Sequence, residues 1–546
     1  MSSVFPPPLL LTAVSAAGIF TWLLIRRSSH LPFPPGPTPD PIIGNLRQMG
    51  SGNFGPVFEK WGKEYGPINH ASVLGQHLVI INSFDTAREL LDYRGSVYSS
   101  RPRMVTFSEM MGWESIISQM NSGPRWRKHR RIIQEKFGPR HLSDYAEMQK
   151  GVTYDFLAGL GKAPKKLEDH IKSPLRLPRL SSSLKSAAAM ILGVTYGYAI
   201  QSIDDPFIHL ADEAAVESLR YGTPGATLCD VLPMLKYWPT WMPFSFYQRH
   251  AAYTKTLVEK LFSWPLDWVQ QRIVPSSPLR AHFLQDSFVP QADKTANQSL
   301  AHGLLTAVQE GRKVLGETLD YEDVKHICGA LYGGGSDTST SVLQSFFLAM
   351  TIYPDIYKKA RGSIDTVVGT DRLVDISDRD ALPYITCVLK EVLRWGVPTP
   401  LGVPHRLTQD DLYAGYFLPK NSTVIYNVWG LTRNEDVYPN PEVFDPDRFM
   451  NPSKPEVLQH VDSVWGFGRR VCPGKIFAES NLWLVIANTI AVMDVRKATD
   501  ENGNSITPAA EFDTGAIRHA KPFNCSVTYR SERARQLVAD AVAALA

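Results

Sequence analysis

The chain has 546 residues, 44% of them apolar and 24 of them phenylalanine, which provides for a large core; length alone would suit three or four domains. Its 57 lysines and arginines against 54 acids leave a net charge of +3, without the basic excess that marks a nucleic-acid binder. Five cysteines, at 229, 328, 387, 472 and 525, show no C-x-x-C spacing, which argues against a disulfide framework or a structural zinc site and favours a reducing compartment.

Residues 1–8 precede an apolar run, Leu9–Ile25, whose polar members are Thr12, Ser15 and Thr21, followed at once by Arg26 and Arg27. That length is the lower limit for a helix crossing a bilayer. A cleaved signal peptide is the alternative, because Ala13–Gly18 is rich in small residues. No lysine or arginine precedes the run, however, so charge asymmetry places residues 1–8 in the lumen and the following chain in the cytosol. Pro32–Pro41 (P-F-P-P-G-P-T-P-D-P) can be neither helix nor central strand, which makes residues 26–45 a basic, semi-rigid hinge. Residues 46–546 show no repeat or low-complexity linker and read as one body.

Within that body, Met104–Ile117 is an apolar stretch ahead of a basic helical segment, Ser122–Arg140, in which Trp126 and Arg130 share a face at i and i+4. Arg127, Lys128, Arg131 and Lys136 read as solvated there. Leu232–Tyr247 is aromatic, broken by prolines and too short to span. Asp320–Met350 reads as a long helix capped by Asp320, with Gly333-Gly334-Gly335-Ser336-Asp337-Thr338 at its middle; three interior glycines predict a close approach or a local unwinding. Pro383–Trp395 is a second helix that sets Glu391 and Arg394 side by side. Ser422–Val428 reads as strand. In V-W-G-F-G-R-R-V-C-P-G (Val464–Gly474) glycines let the backbone fold tightly and approach a flat object, so the loop can hold the Cys472 thiolate toward a planar iron cofactor. Ser531–Ala546 is a short amphipathic tail. Sequons stand at Asn297, Asn421 and Asn524 and, with a cytosolic body, are expected to stay unmodified.

From Trp465 to Gly474 the sequence resembles the heme-binding loop of the cytochrome P-450 superfamily, with Trp465 where the family usually has Phe. Further resemblances lie in order at Trp126–Arg130, Gly334–Thr338, Glu391–Arg394 and Pro446–Phe449, the last with Asp447 for the commoner Glu. The resemblance implies a mainly α fold with a minor β portion, a single large heme domain behind one transmembrane helix. It implies heme b with Cys472 as axial iron ligand, Trp126, Arg130, His405 and Arg470 on the propionates, and Gly468 and Gly474 shaping the loop. Asp337 and Thr338 would serve dioxygen activation and proton relay, and Glu391, Arg394 and Arg448 would form a structural network. Val397–Val403 and Phe512–Ile517 would contact substrate, and Met104–Ile117 and Leu232–Tyr247 would shape its entry. The implied activity is a monooxygenase of fungal or microsomal style acting on a lipophilic terpenoid, steroid-like, polyketide or aromatic molecule. NADPH would supply electrons through a separate reductase docked on Arg127, Lys128, Arg131 and Lys136, at the endoplasmic reticulum membrane. A heme-thiolate isomerase or dehydratase and a non-enzymatic heme sensor are the rivals.

Overall fold

The structure, a computed structural model, describes residues 31–50, 52–162, 181–200, 205–222, 227–273 and 299–545. The expected membrane helix Leu9–Ile25 and the sequon Asn297 lie outside these residues, and among the described residues no helix is long and apolar enough to cross a membrane.

The longer helices in chain order are α1 (Phe54–Tyr65), α2 (Pro124–Lys136), α3 (Ala146–Lys162), α4 (Ser181–Tyr196), α5 (Pro206–Gly222), α6 (Phe246–Ile273), α7 (Leu300–Gln309), α8 (Tyr321–Ile352), α9 (Pro354–Val367), α10 (Pro383–Gly396), α11 (Glu456–Asp462), α12 (Lys475–Val492) and α13 (Glu532–Leu545). Three small sheets complete the fold. Strands β1 (Ile68–Val73), β2 (Gln76–Ile81), β3 (His405–Arg406) and β6 (Thr423–Tyr426) pair in the order β1-β2-β6-β3, with β2 and β6 parallel and in register at Val79 and Val424. A hairpin joins β4 (Asp411–Tyr413) to β5 (Tyr416–Leu418), and β7 (Met493–Thr499) lies between β8 (Ser505–Ile506) and β9 (Cys525–Tyr529). The fold is thus mainly helical with a minor β portion.

Helix α8 organises the interior. Asp320 caps it through the Asp323 N–H while the Asp323 carboxylate accepts the Asp320 N–H, a reciprocal arrangement that satisfies two donors the first turn leaves free. Its first half sends Val324, Ile327, Cys328 and Tyr332 into one apolar core with α4, α5, α6 and α7. Its second half sends Leu343, Phe346, Phe347 and Met350 into another with α10, α12 and β7. Between the two, residues 333–339 are half-buried or exposed although every residue from 340 to 350 is buried. The expected unwinding at the glycines does not occur, because α8 is continuous from Tyr321 to Ile352. The close approach does: a Cβ on Gly335 would stand 2.8 Å from Cδ1 of Ile191 on α4.

Helix α12 is buried at every position from Ser480 to Val492 and so lacks an outward face there, with the buried Asn488 amide donating to the Val374 and Leu484 carbonyls. Helix α13, the tail that the sequence left without a role, buries Ala534 and Val538 in the same core as α10 and α12.

At the end of α10 the structure joins three charges. Arg394 holds Glu391 with two parallel bonds, Nε to Oε2 at 2.7 Å and Nη2 to Oε1 at 2.8 Å, both side chains fully buried. Arg448 reaches Glu391 Oε1 at 3.3 Å and the Asp445 N–H donates to it at 2.7 Å. Arg394 spends its other donors on the carbonyls of Thr432 and Val443. Removing one partner leaves a buried charge unpaired, so Glu391→Gln is expected to lower unfolding free energy by about 3–5 kcal/mol in denaturant titration.

Candidate active site

The loop before α12 is held by its own backbone. The Cys472 N–H donates to the Trp465 carbonyl at 2.7 Å, and Gly474 forms the N-cap of α12. The half-buried thiol therefore sits at a helix N-terminus, where unpaired N–H groups and the helix dipole favour negative charge. Burial pushes its pKa up, while the Gly474 N–H and the charges of Arg130 and Lys475 pull the other way. Trp465, which stands where Phe is usual, is half-buried rather than enclosed.

Gly466 and Gly468 both have positive φ, +87° and +51°. The sequence assigned both to approach of a flat object. Gly468 has a different reason: a Cβ there would lie 2.3 Å from the Leu91 carbonyl oxygen and 2.8 Å from Asp92 Oδ1, in the turn Arg88–Tyr93 beneath the loop.

Around the loop stand three guanidinium groups. Arg470 is buried and donates to the carbonyls of Ser99, Ile117 and Met120 at 2.7, 3.0 and 2.7 Å. Arg130, from α2, donates to the Val471 carbonyl at 2.8 Å and so ties that helix to the loop. Arg101 is buried and donates to the carbonyls of Ser118, Val403 and Pro404. Among the described residues none of the three meets a carboxylate. Burial and mutual repulsion push Arg470 down to about 8, and burial pushes Arg101 down to about 10. Trp126 is 5% exposed, lies with its ring under Arg470 at 4.3 Å, and its buried Nε1–H has no partner. Buried indole N–H groups normally find an acceptor, and buried charges normally find a counter-charge. The arrangement wants an anion with several acceptor oxygens beside the thiol.

His405 on β3 is buried in the same neighbourhood, with Nδ1 2.8 Å from the Tyr98 carbonyl. Burial and the nearby charges of Arg101 and Arg470 hold its pKa well below 6.5. The Tyr98 carbonyl calls for an N–H at Nδ1, so Nε2 is the nitrogen left for a propionate, the role the resemblance implied.

On α8, Thr338 Oγ1 donates to the Gly334 carbonyl at 2.7 Å, and a Cβ on Gly334 would meet nothing within 4 Å. Trp113 lies 3.5 Å from where a Cβ on Gly333 would stand, stacks on Phe107 and donates from its indole to Ser218. Met104–Ile117 is therefore partly core, with Met111, Trp113 and Ile116 buried and Phe107, Met110 and Ile117 half-buried. Val397, expected to line the pocket, is instead fully buried among Leu90, Leu91 and Tyr426; the half-buried part of that stretch is 399–403. Phe512 packs edge-on against Trp395. Lys128, read as solvated, is tied to the buried carboxylate of Asp323 and donates to the Thr318 carbonyl, whereas Arg127 and Arg131 are exposed.

A planar iron porphyrin carrying a pair of carboxylates fits this donor set, and a comparison with known proteins agrees. The family described as Cytochrome P450 matches residues 34–524. The chain is 34% identical over 97% of its length to cytochrome P450 monooxygenase 176 of Postia placenta, 96% of which is covered. It is 36% identical to the cytochrome P450 monooxygenase claR of Ampulloclitocybe clavipes, over 96% of this chain and 91% of that one. It is 33% identical to a cytochrome P450 monooxygenase of Armillaria gallica, over 97% and 98%.

The chain belongs to the cytochrome P450 family. It is a heme-dependent monooxygenase, which removes the isomerase and the sensor as readings of the P450, and the family brings with it a thiolate-ligated heme, dioxygen and a redox partner. Helix α13 lies beyond the matched region.

Two residues of the site were missed in the sequence. Arg101 stands directly before a proline at the edge of an apolar stretch, a signal that fixes its backbone but not its target. His519, whose Nε2 lies 3.0 Å from Asp337 Oδ1, is 182 positions away in the chain and gave no signal at all.

Gly468→Ala is expected to displace the loop and abolish heme incorporation, read as the ratio of Soret to protein absorbance, because the new methyl meets backbone rather than a flexible side chain. Trp126→Phe leaves the fold intact and speeds heme transfer to apomyoglobin about tenfold, the equivalent of one charge-assisted hydrogen bond.

Proposed function

We propose that this P450 is anchored at the endoplasmic reticulum membrane by Leu9–Ile25, with its body in the cytosol. There it inserts one oxygen atom of dioxygen into a lipophilic small molecule with electrons from NADPH, delivered by a separate reductase. The observation that carries the cofactor part is the set of carboxylate-free cations around the Cys472 loop, Arg101 and Arg470 buried and Arg130 half-buried. In this reading Cys472 ligates the heme iron, and Arg101, Arg130, Arg470 and the free indole N–H of Trp126 take the propionates. Bound there, the heme supplies dioxygen activation, with electron density from the thiolate favouring O–O cleavage.

The protein's own part is placement and proton control. Thr338 can turn its Oγ–H from the Gly334 carbonyl toward an acceptor in the open space at the middle of α8. Asp337, one residue earlier, can pass a proton toward that space. The wall formed by Phe107, Met110, Trp113 and Ile117 excludes water and suits an apolar substrate. Terpenoid, steroid-like, polyketide and aromatic molecules all satisfy it.

Membrane association is supported by an exposed apolar surface at Met234, Tyr237, Trp241 and Phe244, the last two 80% and 85% exposed. A contiguous patch of that kind marks a surface meant to be covered. The cytosolic placement has a direct test, since Asn421 and Asn524 are both exposed. Full-length protein expressed in a fungal host is expected to remain unglycosylated at both and to be digested by protease added outside intact microsomes. A glycan at either asparagine would overturn the topology.

For the activity, the reduced protein with carbon monoxide is expected to give the red-shifted Soret band of thiolate ligation, lost in Cys472→Ser. With NADPH and reductase, screening lipophilic compounds by dioxygen uptake is expected to give oxygenated product. In Thr338→Ala the same compounds give mainly hydrogen peroxide, with product per NADPH down by about tenfold or more.

A further inference from the structure

Asp337 is not a free carboxylate. Its Oδ1 lies 3.0 Å from Nε2 of His519, and Nδ1 of the same ring faces Oδ2 of Asp513 at 3.5 Å. A single imidazole thus stands between two carboxylates, one on α8 and one on the turn 513–519.

The turn is built to hold the ring still. Oδ1 of Asp513 accepts the backbone N–H groups of Gly515 and His519, and the Asp513 N–H donates to the His519 carbonyl at 2.9 Å. The turn is fastened to its surroundings at Arg518. That residue's carbonyl accepts Ser341 Oγ–H from α8, its N–H donates to Pro398, and its guanidinium donates to Gly396 at the end of α10. The other charged groups nearby are engaged elsewhere: the Arg518 guanidinium lies on the Phe512 ring, and Lys521 pairs with Glu511. Asp337 and Asp513 are therefore the charges that His519 faces. Asp513 is the more exposed of the two.

We propose that His519 is the positioning residue of the P450's proton relay: it fixes the Asp337 carboxylate from behind and holds the proton on which Asp337 draws. The inference rests on the relay role given to Asp337 above. Burial opposes a charge on His519, but Asp337 and Asp513 outweigh it and raise the ring to about 10, so it is an imidazolium at neutral pH. One proton moves from Nε2 of His519 to Oδ1 of Asp337, turning an imidazolium and a carboxylate into an imidazole and a carboxylic acid. The acid releases a proton into the pocket beside Thr338, and solvent, which reaches the ring on its Asp513 side, returns one to the imidazole. The balance is one proton carried from solvent to the pocket, with no electron moved.

The test uses the full-length holoenzyme and three variants, His519→Asn, His519→Arg and Asp513→Asn. The carbon monoxide spectrum of each is expected to match the parent, since none of these residues touches the Cys472 loop. Dioxygen consumption without added substrate, driven by NADPH and reductase, is expected to fall about tenfold in His519→Asn with a larger solvent deuterium isotope effect. His519→Arg separates holding from giving, because a guanidinium pairs with Asp337 but does not release its proton. It is expected to stay as slow as His519→Asn. Melting temperature supplies a readout apart from turnover. The folded-state value of His519 lies above its ordinary 6.5, so its pairing stabilises fully below that pH and is lost as pH rises through about 10. The gap in Tm between parent and His519→Asn should narrow over that window. Parent-like rates and isotope effects in both His519 variants, or a Tm gap that does not change with pH, overturn the relay while leaving the heme reading intact. Absence of the thiolate carbonyl band from the parent itself undoes the heme reading instead.

Discussion

Three guanidinium groups without a carboxylate, Arg101 and Arg470 buried and Arg130 half-buried, are the constraint on which the site depends. Carbonyl oxygens satisfy the N–H donors of Arg101, Arg130 and Arg470 but do not neutralise them. Taking a charge out of water is costly unless an opposite charge arrives with it. The chain spends these arginines on bringing distant segments together: Arg470 gathers Ser99, Ile117 and Met120, Arg101 gathers Ser118 and Val403, and Arg130 joins α2 to Val471. A bound anion would complete the cluster electrostatically and would couple its binding to the order of this region. The network of Glu391, Arg394 and Arg448 is the contrasting case. It contains its own carboxylate, every strong donor is used, and it belongs to the fold rather than to a ligand.

The open stretch of α8 has a related origin. A helix that crosses two cores is buried where they enclose it, and residues 333–339, touched by the first core at Gly333 and Gly335, are enclosed by neither. The glycines are tolerated there because tertiary packing on both sides holds the helix straight, which outweighs a propensity cost of about 1 kcal/mol each. Hydroxyls at 336, 338 and 340 bond back to carbonyls one turn earlier and so are satisfied within the helix, whereas Asp337 between them turns to His519. The helix can therefore remain regular while offering space.

How much of this could be read from the chain depends on distance along it. The ends of α8 and the pairing of Glu391 with Arg394 rest on spacings of a few residues, and periodicity or capping chemistry is enough to see them, whereas the role of the Cys472 loop rested on the resemblance of Trp465–Gly474 to a known motif. Arg448 needed the resemblance, being 57 positions from Glu391. Arg101 reaches Val403 across 302 positions and His519 reaches Asp337 across 182, and no local pattern encodes such contacts. Gly468 was legible as a glycine that had to be one, but its partner, the Leu91 carbonyl, was not. The three glycines of α8 predicted a close approach or an unwinding, and the structure has the first, at Gly335 against Ile191, while packing on both sides keeps the helix continuous.

Lys128 shows the same limit and carries a consequence for the surface. A basic helix on its own reads as one solvated face. In the fold, Asp323 comes to it from the first turn of α8 and binds Arg125, Lys128 and His129 at once. Burial raises the cost of that carboxylate's charge, yet Lys128 and His129 hold its pKa well below the usual range. The node fastens α2 at one side to α8 while Arg130 fastens it at the other to the Cys472 loop. Trp126 and Arg130 thus stand on a helix pinned between α8 and the Cys472 loop. The same pinning withdraws Lys128 from solvent, so the exposed positive surface of α2 is smaller than the sequence suggests, with Arg127 and Arg131 left exposed. Long-range attraction to an acidic partner scales with the charges left exposed, and in this helix Lys128 and Arg130 are engaged by the interior instead.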